Sequence, residues 1–233
     1  MSTSNINSKN STEAGFTLVE IAIVLVIIGL LLGGILKGQE MITQAKIKNV
    51  INDFNGITVA VTSYQDRYRA LPGDDKNATT RWTTQTPASG DGNGIIAGLY
   101  NANDTSNAGA PGAAFESNLF WQHLRIAGFV PGLTTGTGSG TPPPNAAGGI
   151  IGVESGGGLN PGGLGFTSLI VCFSNLPEKV ASAVDGQMDD SKPGSGQVRA
   201  QKQSGPNEAT LAAPNVTAYV ETGVNQYLLC KNF

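Results

Sequence analysis

Residues Phe16 to Leu36 read FTLVEIAIVLVIIGLLLGGIL, and of these 21 positions only Thr17 and Glu20 are polar. As a helix the run is about 30 Å long, enough to cross the hydrocarbon core of a bilayer. The 15 residues ahead of it, MSTSNINSKNSTEAG, are polar and too short to fold. An ordinary secretory signal is cut after its apolar run, behind small residues. Here the candidate cleavage point, Gly15, precedes the run. Glu20 is the most informative residue of the segment: a carboxylate inside an apolar span costs a few kcal/mol at the bilayer centre and marks function, so it needs a partner.

Downstream, from Gln39 to Arg69, the helical pattern becomes amphipathic. Ile47, Val50, Ile51, Phe54, Ile57, Val61, Tyr64 and Tyr68 recur three or four residues apart, a stripe that one side of a fold must cover. The two patterns join into one helix from near Phe16 to about Ala70, ended by Pro72-Gly73. Gly33, Gly34 and Gly38 each lower helix propensity by about 1 kcal/mol, which predicts local softening or melting over residues 33 to 38.

The remainder has a different composition. Only 13% of the chain is charged, against 32 glycines and 12 prolines, which predicts many turns. From Leu71 onward there are 12 acidic and 8 basic residues with no basic run, so no dedicated nucleic-acid surface is expected. A helix is predicted at Glu116 to Ala127 and a short one at Pro177 to Met188. Strands are predicted near Gly149 to Val153, Gly165 to Phe173, Gln197 to Gln203, Val216 to Glu221 and Gln226 to Cys230. Thr134 to Asn145 and Glu154 to Gly163 read as exposed loops. The expected fold is α+β: a long N-terminal helix, its second half packed on an antiparallel sheet, with a loop-rich head.

Gly15-Phe16-Thr17-Leu18-Val19-Glu20 followed by the apolar run resembles the prepilin signature of type IV pilins and type II secretion pseudopilins. The Leu71-Pro72-Gly73-Asp74, Gly90-Asp91-Gly92-Asn93-Gly94 and Phe120 to Gly128 runs resemble a large subgroup of prepilin-type proteins. The resemblance implies cleavage after Gly15 by a prepilin peptidase, N-methylation of Phe16, and a mature chain that polymerises through its helix. It implies that Glu20 neutralises the amino terminus of a neighbouring copy during assembly. It places the precursor in the inner membrane and the head in the periplasm. Lys37, Lys46 and Lys48 follow the apolar run, and the loop-charge bias alone would put that side in the cytoplasm; the peptidase motif implies the opposite orientation and outweighs that bias. The domain reading is then 1–15 leader, 16–36 membrane and assembly helix, 37–70 amphipathic continuation, and 71–233 head.

Cys172 and Cys230 both fall in the part so placed outside the cytoplasm, where an oxidising compartment favours pairing. Pilins commonly carry a C-terminal disulfide, and the resemblance extends that bond to this pair; two buried free thiols are the alternative. Ser89 to Tyr100 matches half of a calcium loop, with Asp91 and Asn93 at two ligand positions and Gly94 at the turn. Asp74, Asp75 or Glu116 would complete its oxygen shell, while a metal-free Gly-Asn turn explains the same residues. His123, the only histidine, has no ligand-spaced companion and reads as structural. No nucleophile elbow, phosphate loop or HExxH motif is present, and the expected protein is not an enzyme. It is a structural subunit of a type IV pilus-like filament, a homo-polymer assembled by an ATPase and an inner-membrane platform protein. The alternatives are a type II secretion pseudopilin and a minor tip pilin acting as an adhesion or binding module.

Overall fold

The structure, a computed structural model, describes residues 17–102, 115–156 and 162–233. Helix α1 runs from Leu18 to Tyr68 without interruption, through Gly33, Gly34 and Gly38 as well. The expected melting does not occur: glycine weakens a helix but keeps its N–H in the hydrogen-bond ladder. The chain leaves α1 through Arg69, whose φ of 55° cannot continue a right-handed helix, just ahead of Pro72.

Two units divide the chain, residues 1–42 and 43–233. The described part of the first is helix alone. The second is built on a four-stranded antiparallel sheet of β1 (Ile151–Ser155), β2 (Leu169–Pro177), β3 (Val198–Gln203) and β4 (Gln226–Asn232), in the order β1-β2-β4-β3. Around it lie α2 (Ala78–Arg81), α3 (Glu116–Ile126) and α4 (Glu178–Met188). The α+β expectation holds.

Strand alternation separates two hydrophobic layers. Val171, Phe173, Tyr227 and Leu229 point into the main core with Ile47, Val50, Phe54, Ile57, Val61 and Tyr64 of α1. The Phe54 and Phe173 rings meet with centroids 4.1 Å apart. Ile170, Cys172, Leu228 and Cys230 point the other way, under Tyr100, Leu164 and Phe166. The predicted stripe of α1 is therefore core from Ile47 onward.

Several expectations are corrected. β1 and β2 start later than predicted, because Asn145 turns the chain by accepting the N–H groups of Ala147 and Gly149, and because Leu164 and Gly165 both adopt positive φ. Glu154, read as an exposed loop residue, is a fully buried member of β1 that accepts from Tyr100 N–H and Thr210 hydroxyl. Val216 to Glu221 is not a strand. The edge of β3 is met by a side-chain amide instead: Asn215 bonds both the N–H and the carbonyl of Lys202 and occupies an edge that would otherwise recruit a foreign strand, while Gln201 of β3 reaches out to Leu211 N–H and Ala209 carbonyl.

Candidate anchoring and assembly segment

The first turn of α1 is closed by a reciprocal pair of side chains. Thr17, at the N-cap, offers its hydroxyl oxygen to Glu20 N–H at 3.3 Å, and Glu20 Oε2 accepts from Thr17 N–H and from Thr17 hydroxyl, each at 2.9 Å. This is a capping box, in which two helix-start donors find acceptors inside the same turn. Its sequence mark, Thr-x-x-Glu, is present at Thr17 to Glu20, and the reading of Glu20 as a lone carboxylate awaiting a partner missed it. Within one chain the carboxylate already has a local task.

From that turn onward the helix carries fourteen large apolar side chains between Leu18 and Leu36, the least exposed of them, Ile28, at 46%. Burying a side chain of this kind is worth about 1.5–3 kcal/mol, so the segment as a whole forgoes tens of kcal/mol in water. It is long and apolar enough to span a membrane, and none of its most apolar window is covered. Gly15 and Phe16 lie outside the described residues.

In the second unit the structure brings some predicted site residues together and separates others. Asp91 joins Asp74 and Glu116, with one carboxylate oxygen of each lying within 4.8 Å of the others. Asp75 goes elsewhere, to Tyr64 hydroxyl at 2.8 Å and to the Arg81 guanidinium. Asn93 spends its side-chain carbonyl on Ile95 N–H at 2.7 Å and its amide on Asp91 at 2.8 Å. Asp74 is the hub: it accepts from the N–H groups of Gly92 (2.6 Å), Asn93 (3.1 Å) and Gly94 (2.7 Å). Glu116 accepts from those of Asp91 and Ala97. Burial pushes the Asp74 and Glu116 carboxyls above their ordinary range, and the backbone donors oppose that shift. Gly90 is required here, since a Cβ on it would sit 2.4 Å from the Asp74 backbone.

His123 is fully buried. Its Nδ1 accepts from Gly73 N–H at 3.0 Å and its Nε2 faces the Ala88 carbonyl at 2.9 Å, which suits the neutral ring protonated on Nε2. Cys172 and Cys230 are cross-strand neighbours in β2 and β4 and form a disulfide.

A helix exposed in this way and headed by Thr17 and Glu20 fits a membrane-anchored precursor. The family described as prokaryotic N-terminal methylation motif matches residues 10–36, and over that segment the chain is similar to type IV pilins and pseudopilins. That motif implies prepilin peptidase processing and filament assembly in general, and its family is one of structural proteins. No curated protein matches the chain.

Proposed function

We propose that this chain is a structural subunit of a type IV pilus-like filament. It is cut after Gly15, methylated on Phe16, held in the inner membrane by residues 16–36 with its head in the periplasm, and drawn into a homo-polymer by an assembly ATPase and its platform protein. The observation that carries the reading is the uncovered apolar run with a single carboxylate at its start. In a bilayer, lipid covers that run; in a filament, the runs of neighbouring copies cover one another, with helix packing replacing lipid contact.

Glu20 then has two tasks, capping its own helix and pairing with the amino terminus of the copy beside it. An unpaired charge in an apolar filament core is costly, so the pair selects the axial register. Two variants separate the tasks. Glu20→Gln retains an acceptor for Thr17 and removes the charge, whereas Glu20→Ala removes both. Both are expected to insert and be cleaved, and both to reduce sheared filament yield at least tenfold. Normal yield from Glu20→Gln would overturn the charge-pairing mechanism. Imaging filaments on cells lacking this chain, beside an assay of secreted proteins, tests the pilus against a secretion pseudopilus: loss of secretion with surface filaments intact would replace the proposal.

A further inference from the structure

In the orientation proposed above, Lys37, Lys46 and Lys48 stand on the side of the apolar run that the loop-charge bias leaves poor in cations. Lys37 pairs with Glu40 at 3.0 Å, while Lys46 and Lys48 form no ion pair among the described residues. Lys46 belongs to the start of the second unit, which opens at Thr43. A groove of about 170 Å³ lies there, lined by Thr43 and Lys46 of α1, Glu178 and Lys179 of α4, and Gly223 and Asn225 of the turn ahead of β4. Lys179 also forms no ion pair among the described residues. Thr43 follows Leu36, the last residue of the apolar run, by seven positions, about 10 Å of helix. The headgroup layer of a bilayer is itself about 5–8 Å deep, and Met41 and Ile42, both exposed, extend the apolar surface of α1 up to Thr43.

The turn of residues 220–225 beside this groove is tied down from within. Glu178 accepts from Gly223 N–H, from Asn225 N–H at 3.3 Å and from Thr222 hydroxyl at 3.5 Å. Asn225 donates its amide to Val220 carbonyl at 2.6 Å, and Val220 N–H reaches Tyr227 hydroxyl at 2.9 Å. This fixed turn nevertheless holds Val224 83% exposed, more than any other large apolar side chain described in residues 43–233, and leaves Val220 exposed as well. Glu221 is its exposed acid, set against Lys46 and Lys179 at the base, while the Glu178 carboxylate is buried on its own donors.

We propose that the turn of residues 220–225, with Lys46 and Lys179 at its base, docks on the anionic phospholipid surface of the membrane that, on the reading above, residues 16–36 span. The lysine ammonium groups meet lipid phosphates and their methylene stems lie along the apolar boundary. Val220 and Val224 enter the layer between headgroups and acyl chains, where an amphipathic surface gains from both kinds of contact. Lipid is the occupant because the surface continues the apolar side chains of the anchor and because two unpaired cations flank it. Docking gives Lys46 and Lys179 an anionic partner on the side of the membrane where the loop-charge bias offers none. It also holds the head at the membrane until the subunit is drawn into the filament.

The test uses the full-length protein carrying Thr222→Cys, labelled at that thiol with an environment-sensitive fluorophore while the native disulfide stays closed. It is reconstituted in vesicles of phosphatidylcholine alone or of phosphatidylcholine and phosphatidylglycerol in equal parts. Flotation with the vesicles reports anchoring, and quenching by lipid spin-labelled at the headgroup reports docking, so the two readings fail separately. Strong quenching is expected in the anionic vesicles. Each lysine near an anionic surface is worth about fivefold, so Lys46→Gln/Lys179→Gln is expected to lower the docked-to-free ratio at least tenfold. Lys231→Gln, at the opposite end of β4 from Gln226, is expected to leave it unchanged. A chain that floats without quenching in either lipid, quenching equal in both, or quenching undiminished in the lysine pair would overturn the proposal. So would a label that is shielded from water but not quenched by lipid, which gives the turn to a neighbouring copy instead.

Discussion

His123 shows how one residue converts packing into pH dependence. Burial lowers its pKa from the ordinary 6.5 to about 4, because a second proton would charge a ring held among Tyr64, Trp82 and α3 and would face the Gly73 N–H. Between those two values the unfolded chain takes up a proton that the folded chain refuses, so the contribution of His123 is fully present above pH 6.5 and is lost as pH falls toward 4. The loss amounts to about 3 kcal/mol at most. Asp185 acts in the opposite direction: burial, with Asp189 and Asp190 adding to it, raises its carboxyl from 3.8 to about 6. The folded chain keeps that proton over the same window, and acidification restores stability there. The total profile therefore hides both effects, and only a difference exposes them. Urea unfolding followed by tryptophan fluorescence at pH 4 to 7 should show His123→Gln, which retains a donor and an acceptor, gaining on the wild type as pH falls. A gap that stays constant across the range would show that His123 is not held neutral.

At the scale of elements, the segment from Gly90 to Ala97 has no secondary structure of its own and takes its shape from carboxylates supplied by other parts of the chain. Asp74→Ala would leave the N–H groups of Gly92 and Gly94 without their acceptor, while Asn93 N–H keeps Asp91 Oδ1 at 3.0 Å. Unsatisfied donors cost about 1–3 kcal/mol each when fully buried, and this loop is partly exposed, so a loss of about 2 kcal/mol is expected. Hydrogen exchange should find the Gly92 and Gly94 amides accelerated at least tenfold while the amides of β2 and β4 are unchanged; unaltered exchange at both glycines would remove Asp74 from this role. The same loop shows what sequence pattern reveals and what it does not. Periodicity located α1, α3 and α4 and the buried stripe from Ile47 to Tyr64, because a helix writes its covered face into its own spacing. The half calcium loop drew attention to Asp91, but its real companions come from 17 and 25 residues away and were legible only as candidates among others. Val216 to Glu221 has strand-forming residues and no strand, since Asn215 and Tyr219 are engaged by Lys202 and Asp185 instead. Local preference yields there to tertiary partners.

For the molecule as a whole, the distribution of uncovered apolar surface sets what each unit requires. Of 23 exposed large apolar side chains among the described residues, sixteen lie between Leu18 and Ile42, and the other seven are scattered over the rest. The hydrophobic core begins at Ile47, and both of its main layers are closed within residues 43–233 by the sheet, the second half of α1 and the cross-strand disulfide. A chain beginning at Thr43 therefore loses the surface that needs lipid or a neighbouring helix and keeps every contact of the core. It is expected to be soluble without detergent, monomeric in sedimentation, and to melt within a few degrees of the full chain, since single exposed apolar residues need no cover. A molten or aggregated fragment would show that residues 18–42 contribute to the fold of the head. The expected result instead assigns them to anchoring and assembly alone, so that their substitutions change filament yield without changing head stability.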